Sequence, residues 1–226
     1  MKNTSFPSIL YNPFEYSEEE MIRKSEEFYF WADKRRSIRE FSNKPVPKEI
    51  IENIIKTANT APSGAHKQPW TFVLIDDPEL KHRIRIEAER EEKLNYESRM
   101  SEEWLKDLAP LGTTWEKPYI EKAPYIIVIF EQQYGWNPET KIKSKNYYVK
   151  ESVGIAVGIL ILAIHNAGLC TLTHTPSPMN FLREILKRPK NERAYVMMPV
   201  GYPSKNVRVP DLKRKKLNEI IQWNTH

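Results

Sequence analysis

A chain of 226 residues, 40% hydrophobic and 29% charged, is long enough to bury a core without covalent staples. Its one cysteine, Cys170, excludes an internal disulfide. Its net charge of +5 is spread along the chain, and the nearest candidate for a nucleic-acid patch, 213-KRKK-216, is a single short run, which argues against one. The first thirty residues hold no run of signal-peptide length, and the most apolar stretch, 153–164, is too short to span a bilayer. A soluble, cytoplasmic protein without nucleic-acid or membrane partners is expected.

Ser17 is positioned to cap a charged amphipathic helix over residues 17–36. Pro47 opens a second helix at its first position, and Ile50, Ile51, Ile54, Ile55 and Ala58 put one face against a core. The strand candidate 70-WTFVLID-76 follows, and Asp77-Pro78 starts a third helix. From 79 to about 108 the pattern stays helical but very polar, so little packing and a mobile lid are expected. The segment 124-PYIIVIFEQ-132 is a buried strand and 133–146 reads as loop. An apolar core helix from about 148 to 167 ends at Gly168, a C′ glycine. Strands 169-LCTLTHT-175 and 194-AYVMMPVGY-202 flank a short helix near 180–187, and the tail 203–226 is polar. No linker divides the chain. Strands alternating with helices predict an α/β or α+β domain, a central sheet covered by helices.

Three clusters carry candidate chemistry. In 60-TAPSGAHKQPW-70, Ser63 and His66 lack the strand-to-helix elbow of a serine hydrolase and a placed acid. The alternatives are a plain turn, or a cradle in which Gly64 and Ala65 bring backbone N–H groups close to a ligand oxygen. Arg35, Arg36 and Arg39 surround Ser37, and guanidinium groups suit phosphate. Lys213 and Arg214 are candidates to complete that site, and a solvated arginine face is the plainer reading. Glu92 and Tyr96 share a helix face, and with Lys117 they suit a zwitterionic amino acid, against the alternative of an exposed charged helix. Gly154 and Gly158 permit close approach of a neighbouring helix or subunit. The histidines show no i, i+4 pair, and neither a zinc cluster nor a nucleotide fingerprint is present.

The segments 35-RRSIR-39, 57-TANTAPSGAHKQPWTFV-73, 95-NYESRM-100, 171-TLTHTP-176 and 199-PVGYPSKNVRVPDLKRK-215 occur together. The combination resembles the flavin-dependent nitroreductase superfamily and, within it, the iodotyrosine deiodinase family, over residues 33 to about 222. The resemblance implies an α+β nitroreductase-like fold with a central mixed β-sheet flanked by helices, in an intertwined homodimer with FMN at the interface. Residues 1–30 would be an N-terminal extension, wrapping the partner subunit. Residues 31–226 would be the catalytic domain, with a lid at about 85–117. Arg35, Arg36, Ser37 and Arg39 would contact FMN, with Arg214 at its phosphate. Pro62, Ser63 and Gly64 would approach the flavin from the partner subunit. Thr173, His174 and Thr175 would line the isoalloxazine, with the hydroxyl of Thr173 or Thr175 near N5. Ala65 N–H would bond the substrate's phenolate oxygen, and Glu92, Tyr96 and Lys117 would hold its ammonium and carboxylate groups.

The implied reaction is FMN-dependent reductive dehalogenation of an iodo-, bromo- or chlorotyrosine, fed by a donor such as NAD(P)H through a reductase. One departure stands out, that His174 replaces a threonine of the animal members, and no counterpart of the animal members' N-terminal membrane anchor is expected. A general NAD(P)H-dependent nitroreductase-like oxidoreductase is the second expectation. A non-enzymatic protein docking an acidic partner through 213–216 is the third.

Overall fold

The computed structural model describes residues 6–224. The chain divides into two compact units, Met1–Arg35 and Arg36–His226. The first holds helix α1 (Glu18–Asp33), set by a reciprocal capping box: Ser17 Oγ accepts from Glu20 N at 3.2 Å and Glu20 Oε2 accepts from Ser17 N at 3.1 Å. No residue of α1 is buried, and Met21, Ile22, Phe28 and Tyr29 lie exposed.

In the second unit, α2 (Lys48–Ala58) is followed by β1 (Trp70–Ile75), α3 (Pro78–Leu94), α4 (Glu102–Leu108), α5 (Tyr119–Lys122) and β2 (Tyr125–Gln132). Then come β3 (Tyr134–Trp136), β4 (Lys143–Lys145), α6 (Val149–Asn166), β5 (Cys170–Thr171), α7 (Asn180–Ile185) and β6 (Glu192–Gly201). The main sheet has the order β1-β2-β6-β5 with antiparallel neighbours, and a parallel bridge from Ser37 to Thr171 makes it mixed.

Helices cover both faces. On one side Ile127 and Ile129 of β2 and Val196, Met198 and Val200 of β6 meet α2 and α6. On the other, Ile126, Val128, Phe130 and Met197 meet α3, α5 and α7. Burial on both faces is why β2 reads as an unbroken apolar run rather than an alternation. Among the described residues, α6 alone is long and apolar enough to cross a membrane. Its Val153, Ala156, Leu160 and Ile164 instead form core.

Some elements differ from expectation. Pro47 occupies the N-cap of α2 rather than its first turn. The expected loop 133–146 contains the hairpin β3–β4, whose aromatic alternation, Tyr134 and Trp136 opposite Lys145 and Lys143, is too short a run to stand out in the sequence. The expected strand 169–175 shortens to Cys170–Thr171, after which only His174 returns to β6, exchanging both backbone bonds with Met197 at 2.8 and 2.9 Å. The polar stretch after residue 79 also packs better than its composition indicates. In α3, capped by Asp77 with Pro78 in the first turn, Ile84 and Ala88 are fully buried. Lys81 is buried as well, donating to the Glu121 and Ala123 carbonyls that end α5, a helix terminus that attracts cations. By contrast α4 buries no residue.

Candidate active site

The polar cluster grows from the end of α3. After Leu94 the helix widens into a π-turn over Asn95–Arg99, the segment 95-NYESRM-100. Such turns recur at functional sites. Asn95 is buried and donates to the Ser177 carbonyl at 2.9 Å. Arg99 Nη1 bonds Glu91 at 2.8 Å, Asn95 Oδ1 at 3.2 Å and Ser177 O at 3.3 Å. These contacts tie the turn to the loop after Thr175. Tyr96 is thereby aimed at Thr113, whose carbonyl accepts its hydroxyl at 3.2 Å.

Glu92 and Lys117 meet here, 7% and 3% exposed, with Nζ 3.3 Å from Oε2. Lys117 Nζ also donates to Thr114 O and, at 3.3 Å, to Thr113 Oγ1, while its backbone N–H donates to Glu89 at 2.6 Å. The other Glu92 oxygen, Oε1, lies 3.3 Å from His174 Nε2. The exposed-helix reading of Glu92 is therefore wrong: acid, amine and phenol converge as the resemblance implied.

Burial pushes the Glu92 carboxyl up, but the His174 bond and the Lys117 charge outweigh it and hold the group below the ordinary carboxylate range. Burial pushes the Lys117 ammonium down, only partly offset by Glu92. Arg39 lies within electrostatic reach of Tyr96, Lys117, Tyr119 and His174.

The remaining site candidates fall in two places. Ser37 bridges Thr171, and Arg36 Nη2 donates to Pro210 O at 2.5 Å, so the arginine segment runs beside β5 and reaches the C-terminal stretch that carries the exposed Arg214. Arg35 belongs to the first unit. Thr173 and Thr175 are exposed while His174 between them is buried, the alternation of extended backbone. The His174 ring turns to Glu92. Cys170 is no nucleophile, since burial pushes its thiol up to about 12.

The loop before β1 is strained. Ala65, His66 and Gln68 have φ of 50, 53 and 46°, a left-handed region that disfavours side chains. Ser63 Oγ accepts from Gln68 N at 2.9 Å and His66 pairs with the Gln68 amide, so no Ser63–His66 couple exists. Pro62 lies between the buried Ala61 and Ser63. Gly64 serves packing, because a Cβ there would stand 2.6 Å from the Tyr147 carbonyl oxygen, and its N–H bonds Ser152 Oγ at 3.3 Å. The Ala65 N–H takes part in none of these bonds. Ala65→Gly keeps that N–H and relieves the left-handed strain. We expect it to stabilise the protein by about 1 kcal/mol, read as a higher urea midpoint. An unchanged or lower midpoint would refute the strain assignment.

Sequence reasoning missed His174 as the partner of Glu92, the Asn95 and Arg99 anchors, and the Thr113–Thr114 acceptors. Asn95 and Arg99 left a signal as part of 95-NYESRM-100, and His174 as part of 171-TLTHTP-176.

A model of the nitroreductase family matches residues 32–202. The iodotyrosine deiodinase of Haliscomenobacter hydrossis is 58% identical over 207 residues, covering 92% of this chain and 93% of that protein. Iodotyrosine deiodinase 1 of Homo sapiens is 51% identical over 207 residues, covering 91% and 71%. A crystal structure of oxidized iodotyrosine deiodinase bound to FMN and 3-iodo-L-tyrosine aligns with a TM-score of 0.73 at 34% identity, over 88% of this chain and 99% of that one. The chain belongs to the nitroreductase family and, within it, groups with the iodotyrosine deiodinases.

Proposed function

We propose that the protein is an FMN-dependent halotyrosine dehalogenase, converting iodotyrosine to tyrosine and iodide. The observation that carries this reading is the buried Glu92–Lys117 pair beside Tyr96. A carboxylate and an ammonium held side by side present complementary charges to the ammonium and carboxylate of an amino acid. A nitroaromatic acceptor has neither group and gives no use for the pair.

The residues also fit FMN. Arg36, Ser37 and Arg39 supply cationic and hydroxyl donors along the edge that carries the exposed Thr173 and Thr175, a set suited to a phosphate and to the polar rim of a flavin. Bound FMN supplies the two electrons that, with one proton, replace the aryl carbon–halogen bond by carbon–hydrogen and release halide. Ala65 N–H holds the phenolate oxygen and favours the ionised phenol. Tyr96, on a turn pinned through Ser177, covers the bound amino acid, and α4 with its exposed Trp104 belongs to a lid that excludes water. The electron source is NAD(P)H through a reductase.

The active unit is a homodimer. Ile155, Gly158, Ile159 and Leu162 form an apolar stripe on α6, where Ile155 is 46% exposed and a Cβ on Gly158 would meet nothing. A helix apolar on all sides needs cover on all sides. Trp70, which follows the Ala65 loop, sits level with Arg193, while Thr171 beside Ser37 sits level with Val200. Seven strand residues, about 23 Å, separate these levels. A second copy is the simple way to bring the Ala65 loop to the arginine edge.

The test is to mix photoreduced holoenzyme with 3-iodotyrosine and assay iodide. One iodide per flavin from a particle of twice the chain mass is expected. Absence of iodide, with rapid oxidation by a nitroaromatic instead, would sink the reading.

A further inference from the structure

His174 is a buried titratable group with no part in the reaction as described so far. Its backbone is committed to Met197. Its ring is 7% exposed, with Nε2 3.3 Å from Glu92 Oε1, and Nδ1 is buried without a hydrogen-bond partner. Tyr119 meets the imidazole edge-on, ring centroids 5.7 Å apart at 81°. The charged or titratable groups around it are Glu92 from α3, Lys117 from the segment before α5, Tyr119 from α5, and Arg39.

Hydrogen-bond arithmetic sets its state. Glu92 is ionised and can only accept, so Nε2 carries the hydrogen and Nδ1 keeps a lone pair. Protonation would turn Nδ1 into a buried donor without an acceptor, which is unfavourable. Burial pushes the imidazole down in the same sense, against the pull of Glu92. A neutral donor therefore holds one carboxylate oxygen, and a cation, Lys117, holds the other.

We propose that His174 is a positioning residue for Glu92. It fixes Oε1 without adding charge, and so leaves Oε2 to exchange Lys117 for the substrate's ammonium group. Lys117 then turns its charge to the substrate carboxylate, opening the ion pair into an alternating row of four charges. This rests on the halotyrosine reading above. Without His174, Oε1 loses its donor and the carboxylate is free to rotate fully onto Lys117. With a cationic group in its place, the ammonium would meet a competitor.

The test is a titration of FMN-loaded protein with 3-iodotyrosine and with 2-iodophenol, which lacks the zwitterion, followed by flavin absorbance between about pH 5 and pH 8. His174→Leu is expected to weaken 3-iodotyrosine about tenfold and to leave 2-iodophenol unchanged. His174→Gln keeps a neutral donor and is expected to restore most of the loss. Relative to 2-iodophenol, whose phenol titrates in the same range, wild-type affinity for 3-iodotyrosine should fall further toward acid as His174 takes up a proton, and that excess limb should be absent from both variants. Equal weakening of the two ligands would mean plain packing and would overturn the proposal, as would undiminished 3-iodotyrosine affinity in His174→Leu. Should that variant fail to hold FMN, His174→Gln decides: an acid limb identical to wild type overturns the proposal. A wild type that prefers 2-iodophenol overturns the halotyrosine reading with it, whereas failure confined to the variants leaves that reading standing.

Discussion

Glu92→Gln lowers kcat/KM for 3-iodotyrosine by about 100-fold, the expected result of losing a charged hydrogen-bond partner worth about 3 kcal/mol. The amide preserves shape, so the effect isolates the charge. Three groups depend on that charge: Lys117 at 3.3 Å, His174 at 3.3 Å and, when bound, the substrate ammonium. The loss should sit mainly in KM, since Glu92 contacts the amino-acid end of the substrate rather than the ring where the halogen leaves. Turnover of 2-iodophenol should stay within about twofold of wild type, because that ligand never engages the pair. Steady-state iodide release with both substrates measures the contrast. Parallel losses would show that Glu92 acts on the fold or the flavin instead.

Lys117→Met reduces unfolding free energy by about 3 kcal/mol, and Glu92→Gln/Lys117→Met recovers most of it. Lys117 and Glu92 are nearly sealed from solvent, so removing one partner strands the other in a low-dielectric site. Removing both leaves two neutral side chains of similar volume. Such a pair is a poor source of stability, which points to binding as the reason it is kept. Urea unfolding of the two single variants and the double variant gives the coupling. Simple additivity would show that the two charges do not depend on each other.

The pH dependence has a definite sign. Glu92 is held below its unfolded value, so its contribution is complete above about pH 4.3 and disappears as pH falls through the folded value. His174 is also pushed down, so below about pH 6.5 the unfolded chain takes up its proton first and stability falls toward acid. Lys117 acts at the other end: the folded state sheds its proton earlier, so its term favours folding as pH climbs toward the ordinary lysine range.

Several features were legible in the sequence because their physics is local. Ser17 with Glu20, and Asp77 with Pro78, announce helix starts through side chains that reach their own backbone. The apolar runs of β2 and α6 announce burial. Spacing alone placed Glu92 and Tyr96 on one side of a helix, and the segment matches pointed to Lys117 as their companion. The alternation of Thr173, His174 and Thr175 was implicit in extended backbone, but not which face was buried.

Other features exist only because distant parts of the chain meet. The positive φ of Ala65 lies in a loop where Gln68 N–H bonds Ser63 Oγ and where Gly64 has no room for a Cβ beside the Tyr147 backbone, and no residue type announces it. Sequence by itself determined the caps, the central strand, the core helix and the inventory of charges. Tertiary structure decided which of those charges were buried together. Glu92, Lys117 and His174 come from three segments, and the energy of a buried charge depends on partners that local pattern cannot specify.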